Sequence, residues 1–357
     1  MQPMSEVWTI RRALEWTMGY LERKGDENPR LSAQWLLSEA TGLSRVELYT
    51  HYDQPLSLSE RDLLRDFVTR RGKGEPLQYI TGEVGFRHIV VKVRPGVLIP
   101  RPETEVLVSE ALALLPTIPA KACEALGVDA HDGQDMEDAR ALRTQDMRDV
   151  QDARGVQDTC AQHTESDGEQ AVESAPAALV ADLCTGTGCI ACSIAHERPG
   201  VCVIATDIAS CAVELARQNA RALGLDTHVE VVECDLADGI PAALLGAFDL
   251  IVSNPPYVPT AVLADIPREV AEFEPVLALD GGADGLDIFR RILQFATCAL
   301  RPGGALAVEL HETCLEEAAA LAAESGFIDC RIVEDLTRRP RVLTVRKPIE
   351  ATDINNA

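Results

Sequence analysis

The chain has 357 residues, 57 of them acidic against 33 lysines and arginines, for a formal net charge of -24. That length allows about two domains and a sizeable core, and the acidic balance speaks against a general nucleic-acid binder, which normally carries a basic face. No apolar run approaches the roughly twenty residues needed to cross a membrane, the first residues carry no signal-peptide pattern, and eleven scattered cysteines suit reduced thiols, so a cytoplasmic protein with no membrane partner is expected.

Helical spacing opens the chain: Val7, Ile10, Leu14, Met18 and Leu21 form one stripe. Asn28-Pro29 reads as a cap and first-turn pair before Ala33, Leu36, Leu37 and Ala40, with Gly42 past the end. Ser57 and Glu60 form a capping box ahead of Leu63, Leu64, Phe67 and Val68. These stripes predict a small helical domain over 1–75, followed by a hairpin-like linker over 76–102. A catalytic domain is expected over 103–349, with a short tail at 350–357.

Residues 119–176 interrupt that domain. They are rich in Asp, Gln, Ala and Arg, have few aromatic or β-branched residues, and repeat Asp135-Met136-Glu137-Asp138-Ala139-Arg140 loosely as Asp149-Val150-Gln151-Asp152-Ala153-Arg154. Between 121 and 178 there are fourteen acidic and five basic residues, so this stretch carries over a third of the net charge. It reads as a disordered acidic insert, an interaction arm being the functional alternative. Because loop-closure cost grows slowly with length, such an insertion is tolerable.

Next comes a strand, Ala178-Leu179-Val180-Ala181-Asp182-Leu183, a tight turn, Cys184-Thr185-Gly186-Thr187-Gly188, and a helix through Ile190-Ala191-Cys192-Ser193-Ile194-Ala195. Glycine permits the sharp turn and close approach of a ligand to the backbone, while the helix N-terminus adds partial positive charge. A second strand ends in Asp207, placed to accept hydrogen bonds from ribose hydroxyls, and a third, Val229-Glu230-Val231-Val232-Glu233-Cys234, ends at Asp235. The fourth, Phe248-Asp249-Leu250-Ile251-Val252-Ser253, empties into Asn254-Pro255-Pro256-Tyr257. Prolines hold the residues before them extended and contribute no N–H. The loop therefore offers acceptors, the Asn254 side-chain oxygen and the Pro255 carbonyl, to an NH2 group on an sp2 carbon, with Tyr257 as a flat surface beside it. In open α/β sheets ligands bind outside the carboxyl ends of the strands, so these signals converge on one crevice.

A helix over 286–300, a strand over 305–309, a helix over 314–324 and closing strands near 330–334 and 342–345 complete the pattern. Arg338, Arg339, Arg341, Arg346 and Lys347 cluster near the end and read as a solvated basic edge. Cys184, Cys189 and Cys192 have the spacing of plant-type iron–sulfur proteins, but they straddle a turn and helix that a cofactor already explains, and no fourth ligand follows. No metal is expected.

These motifs, together with Glu75-Pro76-Leu77-Gln78-Tyr79-Ile80-Thr81-Gly82, Val97-Leu98-Ile99-Pro100-Arg101-Pro102-Glu103-Thr104-Glu105 and Phe273-Glu274-Pro275 followed by Ala278-Leu279-Asp280-Gly281-Gly282-Ala283-Asp284-Gly285-Leu286, resemble the protein-(glutamine-N5) methyltransferases that act on bacterial release factors, called HemK or PrmC. The resemblance spans most of the chain outside the insert. It implies an α/β class I S-adenosylmethionine-dependent methyltransferase fold, Rossmann-like, with a seven-stranded sheet whose last strand is antiparallel, behind a helical domain that helps dock the substrate. It further implies S-adenosylmethionine as methyl donor and, as acceptor, the glutamine of the Gly-Gly-Gln loop in class I peptide chain release factors. Carried over by position, Cys184, Thr185, Gly186, Thr187 and Gly188 line the methionine part of the cofactor, Asp207 holds its ribose, Asp235 and Leu236 flank the adenine, and Asn254, Pro255, Pro256 and Tyr257 hold the glutamine. Three departures stand out: Cys184 replaces a usual glycine, Leu236 a residue aromatic in some relatives, and Leu310-His311-Glu312 a more glycine-rich stretch.

Three alternatives share parts of the pattern. A nicotinamide dehydrogenase fits Gly186, Gly188 and Ala191 but has no use for the prolyl loop. An amino-methyltransferase on DNA or RNA bases poses the same geometric problem, yet needs base flipping and usually a basic groove. A non-catalytic binder of the cofactor would not need the intact acceptor loop.

Overall fold

The computed structural model describes residues 7–116 and 178–349. The acidic insert expected at 119–176 and the tail at 350–357 lie outside the described residues.

Helices Ile10–Arg23, Pro29–Thr41 and Leu58–Arg71 build the N-terminal region. Ile10, Leu14, Leu21, Leu36, Leu37, Leu64 and Phe67 bury together as its core. The first helix starts later than the apolar stripe suggests: Thr9 is its N-cap, and Val7 lies outside, 64% exposed. Leu63 likewise faces solvent, beside the buried Leu64. The capping box of Ser57 and Glu60 forms in full. Asn28 occupies the next N-cap, but its side chain makes no capping bond. The neighbouring Asp26 supplies it, accepting from the Asn28 N–H and the Ser32 hydroxyl, both at 2.8 Å. Asp26 is held in turn by Arg71 Nε at 2.6 Å, and the Arg71 guanidinium also reaches Glu269 at 3.1 Å.

Strands β1 (Glu83–Phe86) and β2 (Ile89–Lys92) form an antiparallel hairpin. Its Phe86, Ile89 and Val91 bury in the same cluster as the main sheet, so the segment expected as a linker is packed into the catalytic core.

The main sheet contains β3 (Ala178–Leu183), β4 (Val201–Asp207), β5 (Val229–Glu233), β6 (Phe248–Ser253), β7 (Leu300–Glu309), β8 (Ile328–Glu334) and β9 (Pro340–Arg346), in the order β5-β4-β3-β6-β7-β9-β8. Neighbours from β5 to β7 are parallel, and β9 runs antiparallel to both β7 and β8. This is the seven-stranded sheet with an antiparallel last strand that the resemblance implied. The central strands read as continuous apolar runs because both faces are covered. Ala305 and Ala307 bury on one side, while Leu306 and Val308 bury on the other. Strand β5 stops at Glu233, one residue short of expectation, and β7 begins at Leu300, five residues earlier, across a bulge opposite β6. The basic cluster is partly stapled to the fold: Lys347 Nζ donates to the carbonyls of Thr297 and Leu300, each at 2.7 Å, and Arg346 donates to Gly303 O at 3.0 Å. Lys347 thereby caps the helix Asp287–Ala299.

Chain order reverses at β3, which has β4 on one side and β6 on the other. A crevice at such a switch point is the expected ligand position.

Candidate active site

A cavity of about 440 Å³ opens at the carboxyl ends of β3, β4 and β6, within the roughly 300–1,000 Å³ of small-molecule sites. Cys184, Thr185, Gly186, Thr187, Asp207, Asp235, Leu236, Asn254 and Pro256 all line it. Gly188, Pro255 and Tyr257 are outside that lining. Gly188 answers to packing: at φ +79°, a Cβ there would sit 3.1 Å from Ala216 Cβ, on the helix Ser210–Ala222.

The turn after β3 is held by side chains from beneath. Asp182, fully buried, accepts from Thr185 Oγ1 at 2.6 Å and from the Ala191 N–H at 3.2 Å. It thus ties strand end to helix start. Burial pushes its carboxyl up to about 7, against the pull of those two donors. Asn219, also buried, donates to Thr187 O at 2.8 Å while exchanging bonds with the backbone of Lys92, so β2, the turn and a helix share one pin. Asp207 accepts from the Gly186 N–H and from the Ala209 N–H, both at 2.9 Å. A carboxylate has about four lone-pair sites, so it keeps acceptor capacity toward the cavity. Burial raises its proton affinity as well.

Two departures noted in the sequence acquire a backbone meaning. Cys184 has φ 61° and Leu236 φ 48°, both in the left-handed region that glycine enters freely and other residues enter at a cost of about 1–2 kcal/mol. Both sit on the cavity wall. Burial also raises the Cys184 thiol well above its ordinary range, so it stays neutral. Asp235 lies just past β5, its carboxylate 2.9 Å from Arg291 at the cavity mouth. At His311, burial lowers the imidazole, and Nδ1 lies 2.8 Å from the Thr313 hydroxyl.

The acceptor loop is braced from several directions. Asn254 Nδ2 donates to Thr104 Oγ1 at 3.1 Å, which leaves its side-chain oxygen uncommitted at the cavity wall. The Tyr257 hydroxyl turns inward and donates to Glu309 Oε1 at 2.9 Å. Behind Tyr257 the Asp280-to-Gly285 loop passes so close that a Cβ at Gly281 would fall 2.7 Å from Tyr257 Cα, and one at Gly285 would fall 2.5 Å from Tyr257 O. Only glycine fits there. Across the cavity Arg101 meets Glu274 at 2.5 Å, the Glu274 side chain being 1% exposed. The stretches around Pro100 and around Phe273 are thus clasped together.

Sequence reasoning assigned no roles to Thr104, Arg101, Asp182, Asn219, Glu274 or Glu309. Thr104, Arg101 and Glu274 sit inside stretches that carried the resemblance, and Glu309 is a carboxylate at a strand's carboxyl end, as Asp207 is; those were the available signals. Among the described residues, no group of three or more His, Cys, Asp or Glu is arranged to hold a metal ion, and no helix is long and apolar enough to cross a membrane.

Residues 12–82 match the family model of the PrmC N-terminal domain, and residues 170–268 match that of the methyltransferase small domain. The release factor glutamine methyltransferase of Geobacter sulfurreducens is 38% identical over 95% of this chain and 96% of its own length. Those of Rhodopirellula baltica and Chlorobaculum tepidum are each 33% identical, over 95% and 96% of this chain and 97% and 98% of theirs. With two family models matched in the right order and full-length similarity above 30%, the chain belongs to the release factor glutamine methyltransferase family.

Proposed function

We propose that the cavity binds S-adenosylmethionine and that the chain transfers its methyl group to the glutamine side-chain amide of the Gly-Gly-Gln loop in class I peptide chain release factors. The observation that carries this reading is the set of Asn254: its NH2 is spent on Thr104, so its oxygen is left as an acceptor at the cavity wall. When bound, the cofactor supplies an activated methyl on a sulfonium. The residues present suit it: Asp207 keeps acceptor capacity for ribose hydroxyls, the 184–187 backbone gives a close-approach cradle, and the carboxylates of Asp207 and Asp235 favour a cation.

An amide nitrogen shares its lone pair with the carbonyl; in peptides that resonance gives a rotation barrier of about 18–20 kcal/mol. Such a nitrogen is a weak nucleophile. In this reading Asn254 Oδ1 and the Pro255 carbonyl each accept one amide hydrogen, returning electron density to nitrogen and aiming it at the methyl. Orientation at about 3–3.5 Å can supply roughly 7–11 kcal/mol. The proton becomes acidic only after the methyl has moved, so neither a strong general base nor a metal is required. Tyr257 and Pro256 shape the loop beside the planar group.

Incubation with labelled cofactor and a release factor, the same factor with its loop glutamine replaced, or nucleic acid tests the reading. Label only on the intact factor is expected; label on nucleic acid would favour the base-methylating alternative. Asn254→Ala should abolish turnover while retaining cofactor binding, and near-normal single-turnover methylation by that variant would remove Asn254 from its role.

A further inference from the structure

Glu309 is the least explained charge beside the site. It ends β7, is 1% exposed, and uses one oxygen for the Tyr257 hydroxyl at 2.9 Å. Its other oxygen, Oε2, is buried and makes no direct hydrogen bond among the described residues. Facing it is Thr104, the first residue of the helix Thr104–Leu114, 2% exposed, whose hydroxyl accepts from Asn254 Nδ2. The Thr104 and Tyr257 hydroxyls and Arg341 all favour the ionised form of Glu309, against burial and Glu103.

Direction is what this arrangement encodes. A hydroxyl has one proton, and an ionised carboxylate can only accept. With Glu309 behind it, Thr104 must point its proton at the carboxylate and its lone pairs at Asn254. The Asn254 amide is then fixed with NH2 inward and oxygen toward the cavity. Flipped by half a turn, it would present N–H to an acceptor NH2 and repel it.

We infer that Thr104 and Glu309 are positioning residues of the transfer reaction: Glu309 orients the Thr104 hydroxyl, Thr104 fixes the flip state of Asn254, and the second arm of Glu309 anchors Tyr257. This rests on the reading that Asn254 grips the acceptor amide. Neither residue touches the acceptor in this scheme; both act through the prolyl loop.

The test is steady-state methylation of a release factor by Thr104→Val, Thr104→Ser, Glu309→Gln and Asn254→Ala, with calorimetry of S-adenosylhomocysteine on each. Thr104→Val keeps shape and removes the hydroxyl. It should lower kcat about 10- to 100-fold, the scale of an ångström's misplacement, with KM and the Kd for S-adenosylhomocysteine within about threefold of wild type. Thr104→Ser should recover most of kcat, and adding Thr104→Val to Asn254→Ala should cost nothing further. A merely structural threonine would instead shift Kd and the melting temperature together and would not be rescued by serine. If Asn254→Ala is inactive while Thr104→Val turns over normally, the positioning role is wrong and the acceptor-loop reading stands. If Asn254→Ala is itself active, the acceptor-loop reading fails and takes this one with it. Should Thr104→Val not fold, Glu309→Gln decides: its amide can donate to Thr104 and reverse the hydroxyl, so unchanged kcat there overturns the inference.

Discussion

Replacing Asp182 by asparagine isolates one buried charge beneath the cofactor turn. In the folded chain this carboxyl is fully buried, with Oδ2 bonded to Thr185 and Ala191 and Oδ1 without a partner. Its proton affinity rises from the ordinary 3.8 to about 7, chiefly through burial. Between those values the folded chain holds a proton that the unfolded chain has released, so stability from this group is complete below about 4 and is lost as pH rises through about 7. The loss runs at up to about 1.4 kcal/mol per pH unit and totals roughly 4 kcal/mol. Asparagine keeps an oxygen that can accept both bonds, but its NH2 then meets the space where Oδ1 had no partner, at a cost of about 1–3 kcal/mol. Asp182→Asn should therefore be less stable than wild type near pH 4.5 and equal or more stable at pH 8. Urea denaturation of both proteins across that range gives the difference directly, since other titrating groups cancel. Two parallel stability curves would refute the reasoning, because they would mean that Asp182 does not titrate differently on folding.

Three further outcomes are expected. Arg101→Met should destabilise by about 3 kcal/mol or somewhat less, because it strands the buried Glu274 carboxylate while Arg101 itself is a third exposed; the deficit should shrink toward acid pH as Glu274 takes up a proton, and a pH-independent deficit in denaturation would count against the pairing. Gly188→Ala combines the left-handed φ of +79° with a contact 3.1 Å from Ala216 Cβ, so a loss of about 2–4 kcal/mol is expected; a stability within error of wild type would show that the two helices separate freely. Ser57→Ala removes one half of an intact capping box and should cost about 1 kcal/mol by the same measurement, with no effect on methylation kinetics.

Much of the site was legible because its signals are local. A strand followed by Cys184-Thr185-Gly186-Thr187-Gly188, Asp207 at the next strand end and Asn254 before two prolines each announce themselves within a few residues, and all lie where β3, β4 and β6 open. Ser57 and Glu60 were readable for the same reason, being three residues apart. Legibility failed where a neighbour decided the outcome: the N-terminus of the first helix was drawn too early because Val7 continues the apolar spacing, and only the Thr9 cap excludes it. Asn28 looked like a cap by residue type, whereas Asp26, steadied by the distant Arg71, took the bonds.

The sequence by itself determined the order of strands and helices, the acceptor character of the prolyl loop and the family, since apolar period, glycine and proline act on their own stretch of chain. Only the tertiary structure decided which way those acceptors face. Asn254 is set by Thr104, 150 residues away, and Tyr257 by Glu309, 52 residues away. Such bonds exist once the sheet has brought strand ends together, and burial then makes an unpaired polar group costly enough to hold each side chain in one orientation.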